Sequence, residues 1–325
     1  MSTESRWCVV GGAGFIGSHF VDRLLESPDV SGVTVYDNFS SGREWHVAQH
    51  VDNPRFHIVR GEVADTPALA AAIAGHDVVL HLASNPDIAA AMINPDIDFV
   101  EGTALTRSVV EAMRESGVPR ILYASGSGVY GDLGELEATE EYGPLVPVST
   151  YGASKLAGEA LIASYAAMFG LIGRAFRFGN VVGGRQTHGV GFDFVRRLLN
   201  DPHRLDIMGD GTQSKSYIHI DDVITAVLTV HAAATEPFDV FNVATGDYIT
   251  VHEIADLAVQ TLGLPAGSVE YHFSGGPRGW KGDVPIVRLD TTRIRSLGWG
   301  CERTSREALS AAMRLLIDDA RAGRL

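Results

Sequence analysis

Tyr151 and Lys155 stand four residues apart in the run Ser149-Thr150-Tyr151-Gly152-Ala153-Ser154-Lys155-Leu156-Ala157-Gly158-Glu159. On a helix, that spacing puts both side chains on one face. A free phenol has a pKa of about 10. A cation held beside it favours the phenolate and lowers that value, and a positively charged ring opposite would add to the effect. Such a phenolate can take the proton of an alcohol while a hydride leaves the same carbon. A tyrosine and a lysine at helical spacing are most often a solvated pair. What gives this pair its weight is a glycine pattern far upstream.

That pattern is Val9-Val10-Gly11-Gly12-Ala13-Gly14-Phe15-Ile16-Gly17-Ser18, which reads as a buried strand, a tight turn and a helix. Glycines at 11, 14 and 17 let the backbone come close to a pyrophosphate, and the first amides of the helix face that anion. A helical pattern follows through Phe20, Val21, Leu24 and Leu25, and the next strand, Val33-Thr34-Val35-Tyr36, ends in Asp37. A carboxylate there holds a ribose diol and repels a 2′-phosphate. Arg43 lies nearby and would suit NADP, but the acid comes first in the loop, so NAD is the expected cofactor.

Two unequal domains fit within 325 residues, and a composition of 45% hydrophobic and 20% charged residues suits a packed core. Net charge of −14 argues against nucleic acid and acidic membranes as partners, so an anionic substrate needs locally placed Arg or Lys. Neither a membrane span nor an apolar leader stands out, the stretch Met1 to Arg6 being short and polar, which makes the cytoplasm the expected location. The two cysteines, Cys8 and Cys301, form no disulfide framework and no metal site, and Cys8 reads as a buried small hydrophobe.

Strand and helix patterns alternate over the first 180 residues, implying βαβ units and a parallel sheet. Strands are expected at 7–11, 33–37, 56–60, 77–82, 120–125 and 172–178, with a long helix over 98–116 that stops at Gly117. Ser149 or Thr150 is a candidate cap for the helix carrying Tyr151. Beyond Asn180 the pattern becomes irregular. His188 to Phe194, Gly209 to Gln213 and Gly275 to Gly282 read as loops of a smaller domain, while Asp221 to about His231 and Val240 to Val243 return to the sheet.

Together these segments resemble the extended short-chain dehydrogenase/reductase family, in particular its NAD-dependent nucleotide-sugar epimerases and dehydratases, and most closely UDP-glucose 4-epimerase-like proteins. The residues carrying the resemblance include Gly11 to Gly17, Asp37 to Gly42, His81-Leu82-Ala83-Ser84, Val129-Tyr130-Gly131, Tyr151 to Lys155, Arg177 to Asn180, Gly209 to Thr212, Tyr217 to Asp222 and Arg278 to Asp283. The implied fold is α/β, a Rossmann-type doubly wound parallel sheet with a smaller mixed α/β domain. The implied division is 1–180 plus 219–245 for the dinucleotide, and 181–218 plus 246–325 for the substrate.

The resemblance also implies a site. Gly11, Gly14, Phe15, Ile16 and Gly17 would hold the pyrophosphate of NAD. Asp37, Asn38, Ser40 and Gly42 would surround its ribose, and Glu62 and Val63 its adenine. Leu82, Ala83 and Ser84, with Tyr151 and Lys155, would lie along the nicotinamide half. Asn180, Val190 and Tyr217 would touch substrate, Lys215 and Arg278 its diphosphate, and Asp283 its nucleoside ribose.

In the implied cycle Tyr151 deprotonates a sugar 4-hydroxyl, hydride passes from that carbon to NAD, the 4-keto sugar rotates, and hydride returns to the other face. A homodimer through two helices is implied too. The chain departs from the family at Gly126, where a Ser or Thr usually orients the reacting hydroxyl. Ser125 and Ser127 flank it as candidates for that role, and Ser127 also for substrate contact. Gly102 replaces a common asparagine, and Glu62 a common aspartate. Dehydratases and decarboxylases carry an acid where this chain has Ser127-Gly128, so epimerisation of an NDP-hexose, of UDP-glucose/galactose type, is the expected reaction. Another nucleotide-sugar oxidoreductase, decarboxylase or dehydratase, and a non-catalytic NAD-binding regulator, stand as alternatives. Tyr151→Phe is expected to abolish turnover while NAD stays bound, as read by product assay and by mass spectrometry of the retained dinucleotide; full activity in the variant would refute the proton-transfer role.

Overall fold

A computed structural model describes residues 4–324; residues 1–3 of the polar amino-terminal stretch lie outside the described residues. In chain order the elements are β1 (Ser5–Val10), α1 (Phe15–Glu26), β2 (Val30–Asp37), β3 (Phe56–Arg60), α2 (Thr66–Ile73), β4 (Val78–His81), α3 (Leu105–Ser116), β5 (Arg120–Gly126), α4 (Thr150–Phe169) and β6 (Ile172–Phe178). There follow β7 (Asn180–Val182), α5 (Val190–Asn200), β8 (Arg204–Ile207), β9 (Ser214–Lys215), β10 (Tyr217–His219), α6 (Ile220–Ala233), β11 (Phe238–Val243), β12 (Ile249–Thr250), α7 (Val251–Thr261), β13 (Glu270–Phe273), α8 (Thr292–Ser296) and α9 (Ser305–Arg321).

Seven strands form the main sheet in the order β11-β6-β5-β4-β1-β2-β3. Pairing from β3 through β5 is parallel, with Val9 opposite Val35 and Leu80. The order reverses between β1 and β4, which is where doubly wound sheets bind ligands at their carboxyl ends. Strands buried on both faces must be apolar throughout, and Trp7, Cys8, Val9 and Val10 are all at most 3% exposed. Cys8 is fully buried as expected, and its thiol is pushed up to about 12 by desolvation.

The chain divides into two compact units. The first takes in the chain up to Val129, Thr150–Arg177 and Val227–Phe241; the second takes in Tyr130–Ser149, Phe178–Ala226 and the chain from Asn242 onward. This differs from the expected division at 180, most clearly at 130–149. That stretch is bound to the second unit: the Tyr130 hydroxyl bonds Asn242 Oδ1 at 2.8 Å, and the Asn242 side-chain amide donates to the Ala138 carbonyl at 2.9 Å. Within the second unit β7 pairs with β10, β12 with β9 and β13 with β8, and a core of Phe194, Leu198, Ile254, Leu309 and Met313 holds α5, α7 and α9 together.

Two local expectations change. The helix expected over 98–116 starts as a π-helical turn, Phe99–Ala104, before α3 begins. Gly102 is the reason the turn fits, since a Cβ there would stand 2.7 Å from Ser154 Oγ of α4. The Thr106 hydroxyl then donates back to the Gly102 carbonyl at 2.9 Å. At its far end α3 stops on Gly117 in the left-handed conformation, as expected. The second change is in 188–194, expected as loop, where α5 begins at Val190. Its apolar face (Phe194, Val195, Leu198) is buried in the second core, and that burial stabilises a helix the local sequence left unmarked.

Helix α4 lies against β5 so closely that a Cβ on Gly158 would stand 2.3 Å from the Tyr123 hydroxyl. One turn from Lys155 on the same helix, Glu159 is held by Arg177 of β6: Arg177 Nε and Nη2 donate to the two carboxylate oxygens at 3.0 and 2.7 Å, with the side chains only 4% and 5% exposed. Replacing Arg177 by Ala strands that carboxylate in the core, which typically costs about 3–5 kcal/mol. Urea unfolding of Arg177→Ala is expected to show a loss of that size, whereas Ser125→Ala, which removes one hydrogen bond to the same carboxylate, is expected to cost about 2 kcal/mol.

Candidate active site

In the first unit the glycine turn joins β1 to α1. Gly11 sits at a φ of +84°, and a Cβ there would stand 2.8 Å from the Ala83 amide nitrogen. A Cβ on Gly17 would stand 2.3 Å from the Gly11 carbonyl oxygen. Neither position tolerates a side chain, and the result is a bare backbone surface. The amides of Leu82 and Ala83 both donate to the Val10 carbonyl, which fixes the strand after β4 beside the turn. Helix α1 has no side-chain cap and no acid in its first turn, so its leading amides, those of Phe15 and Ile16 among them, are left for an outside acceptor.

Asp37 ends β2 as expected, 7% exposed. Its two oxygens accept the amides of Ala13 at 2.9 Å and Phe39 at 2.8 Å, so the acid also braces the turn. Burial raises its pKa despite those bonds and despite Arg60. Asn38 donates to Glu62 at 3.0 Å and accepts the Ser40 amide at 2.9 Å, while Gly42 is folded onto Ala13 and Asp37. These residues are therefore brought together with the glycine turn. Val63 differs: its side chain is buried in the core of the sheet. A bare turn, uncapped helix amides and a carboxylate at the end of β2 fit the pyrophosphate and ribose of a dinucleotide.

Tyr151 and Lys155 share one face of α4. The Lys155 ammonium lies 5.4 Å from the Tyr151 ring centroid, 5.3 Å from that of Tyr123, and donates to the Ala124 carbonyl at 2.9 Å. The flanking serines separate in role. The Ser125 hydroxyl is buried and donates to Glu159 at 2.5 Å, which commits its proton to the charged network behind the helix. Ser127 opens a short 3₁₀ turn, Ser127–Tyr130, and is partly exposed. A Cβ at Gly126 would meet nothing within 4 Å, and one at Gly128 would stand 3.5 Å from the Gly152 Cα.

In the second unit, Lys215, Arg278 and Asp283 form one cluster. The Lys215 ammonium donates to Asp283 Oδ1 at 2.6 Å, the Gly279 amide donates to Oδ2 at 3.0 Å, and Arg278 donates to the Asp283 carbonyl and, at 2.5 Å, to Asp132. Asn180 begins β7, with its side-chain amide donating to the Ser216 carbonyl at 3.1 Å. Val190 does not join this cluster, whereas the Tyr217 phenol is pushed up by burial and by the Asp283 carboxylate. Tyr217 is 6% exposed within the hydrophobic core, and Val190 packs against the same core at the start of α5.

Residues 7–244 match the NAD dependent epimerase/dehydratase family. The chain belongs to that family. A UDP-glucose 4-epimerase of Mycolicibacterium smegmatis is 33% identical over 302 residues, covering 90% of this chain and 93% of the relative. Among solved structures, a UDP-galactose 4-epimerase has a TM-score of 0.84 at 36% identity, covering 97% of this chain and 99% of the other. A dTDP-glucose 4,6-dehydratase of Streptomyces venezuelae, solved with NAD bound, has a TM-score of 0.89 at 28% identity, each chain covered to 98%. The Rossmann-type fold, membership of the extended short-chain group and NAD as cofactor follow.

The electrostatics of this epimerase/dehydratase differ from the sequence expectation in one respect. The Tyr151 phenol is not made acidic by Lys155: burial and the neighbouring Asp98 carboxylate push it up to about 12. The reason is geometric, since the ammonium lies over the ring and is turned to the Ala124 carbonyl. Lys155 itself is brought down to about 8 by desolvation, with Asp98 opposing the fall. Sequence reading missed Asp98, which ends an Asn-Pro-Asp-Ile-Asp run and reads only as the first residue of the helix expected over 98–116.

Among the described residues no group of acids, histidines and cysteines could hold a metal ion, and no helix is long and apolar enough to cross a membrane. Lys155 is charged below about 8 and neutral above it. The kcat/KM of this enzyme is therefore expected to fall as pH rises through that value; a plateau continuing well past it would show that the cation is not required.

Proposed function

We propose that this enzyme epimerises an NDP-hexose, of UDP-glucose/galactose type, at carbon 4 through a transient 4-keto sugar. The observation that carries the reading is the residue set of the first unit: Tyr151 and Lys155 on one helix face, with Ser127-Gly128 and no acid in the turn after β5. Elimination of water from a sugar needs a general acid and base beside the proton-transfer pair. The buried Asp98 carboxylate does not supply one, because both its oxygens accept from side chains of the protein and it is 1% exposed. The likeness to a UDP-glucose 4-epimerase and to a UDP-galactose 4-epimerase supports the same choice.

In this reading the Tyr151 phenolate takes the proton of the 4-hydroxyl and later returns it. Lys155, whose ammonium lies over the Tyr151 ring, holds the ribose next to the reacting ring. NAD, when bound, supplies the acceptor and donor of the hydride at carbon 4. Because burial and Asp98 hold the phenol near 12, its ionisation relies on the positive charge of the oxidised dinucleotide, which ties proton removal to a loaded site. Lys215 and Arg278 are the cations for the diphosphate of the substrate, which must displace Asp283 and Asp132 from them or share them. The homodimer of the same reading would cover exposed apolar side chains such as Phe99, Val100, Met168 and Phe169.

Incubation with UDP-glucose or UDP-galactose decides between the reactions. The expected outcome is interconversion of the two, with product of unchanged mass and no build-up of reduced nicotinamide. A product lighter by one water, or stoichiometric reduction of added NAD, would overturn the reading in favour of a dehydratase or an oxidoreductase.

A further inference from the structure

Asp98 is a buried acid that the proposed cycle leaves without a task. It is 1% exposed and lies just before the π-helical turn. Its two oxygens are divided between two other segments. Oδ1 accepts from the Asn85 side-chain amide at 3.0 Å, and Oδ2 accepts from the Thr150 hydroxyl at 2.7 Å. Asn85 is fixed in turn by its own loop: its amide donates to the Asp87 carbonyl at 2.8 Å, and its carbonyl oxygen accepts the Asp87 amide at 2.9 Å. Thr150 is the first residue of α4 and directly precedes Tyr151. Its hydroxyl is thus spent on Asp98.

Among the described residues Asp98 makes no ion pair within 4 Å. A carboxylate so placed is costly to keep, and neutral hydrogen bonds to two side chains offset only part of that cost. The other groups packed around the pair do not supply a negative charge there. Glu159, one turn further along α4, is neutralised by Arg177. Tyr123 of β5 is held protonated by burial, and His81 of β4 is brought down to about 3 by burial and by Lys155 and is neutral. Asp98 is the anion that acts on both Tyr151 and Lys155, opposing ionisation of the first and favouring the cation of the second.

We propose that Asp98 is a positioning residue for the Tyr151–Lys155 pair: through Thr150 it pins the first turn of α4, and its fixed negative charge offsets the cations gathered there. Without that charge, Lys155 and an oxidised dinucleotide would repel each other across the phenol. With it, the lysine stays protonated in a desolvated pocket, and the phenol stays neutral until the site is loaded. The inference rests on the proposed role of Tyr151 as the proton-transfer group, but its first test needs no turnover.

The protein saturated with NAD is titrated by phenolate absorbance, with Tyr151→Phe as the blank that isolates this one phenol. In Asp98→Asn the Tyr151 midpoint is expected about one pH unit lower than in the unsubstituted protein; an unchanged midpoint overturns the proposal. The pH profile of UDP-glucose turnover is then expected to shift its acid limb down by the same amount, which a purely structural loss would not do. Thr150→Val, which keeps the charge and cuts the tether, is expected to lower kcat with the limb in place, and an unaltered kcat overturns the tethering role. Should no nucleotide sugar be converted at all, the functional reading fails while the phenolate titration still decides the role of Asp98.

Discussion

Helix α4 carries a phenol and an ammonium to the carboxyl end of a buried sheet, and everything else in the first unit answers to the cost of that placement. Ammonium groups lose several kcal/mol of hydration on burial unless partners replace it. Lys155 is 3% exposed, and its partners are a main-chain carbonyl, two aromatic faces and the field of Asp98. One turn on, Glu159 is locked by Arg177 and Ser125. The helix is held by charge at two levels, and the two levels have different consequences. The Glu159 network is closed and serves stability. The Asp98 carboxylate acts on both Tyr151 and Lys155.

Glycine works on the same helix from the other direction. At 102 and 158 it lets neighbouring elements approach α4 to distances no side chain allows. At 11 and 17 it does the same for the turn between β1 and α1. Close backbone approach on both sides is what sets the sheet end, the turn and the helix at the spacing the chemistry needs. Gly126 is of another kind, since the space its missing side chain leaves is open. No steric reason therefore excludes a side chain at this position.

Cations in the second unit are paired as well. In a chain with 40 acidic and 26 basic residues, free cations would attract any nearby acid. Lys215 and Arg278 are held by Asp283 and Asp132.

Local pattern was enough for the strands, the glycine turn, Asp37, the helix bearing Tyr151 and Lys155, and the absence of an acid at 127 and 128. Each of these depends on periodicity or on a residue type at a fixed short spacing, and such information survives in a linear chain. Tertiary structure alone decided which polar residues became buried. Ser125 and Ser127 look equivalent in the chain, but one is committed to Glu159 and the other opens an exposed turn. Tyr217 lies inside a motif and yet packs into a core. Asp98 reads as the start of the helix over 98–116 and becomes the anion beside Tyr151 and Lys155, because Asn85 and Thr150 reach it from thirteen and fifty-two residues away. Burial is a property of what packs over a residue, and the field at Tyr151 is set by neighbours that only the folded chain assembles.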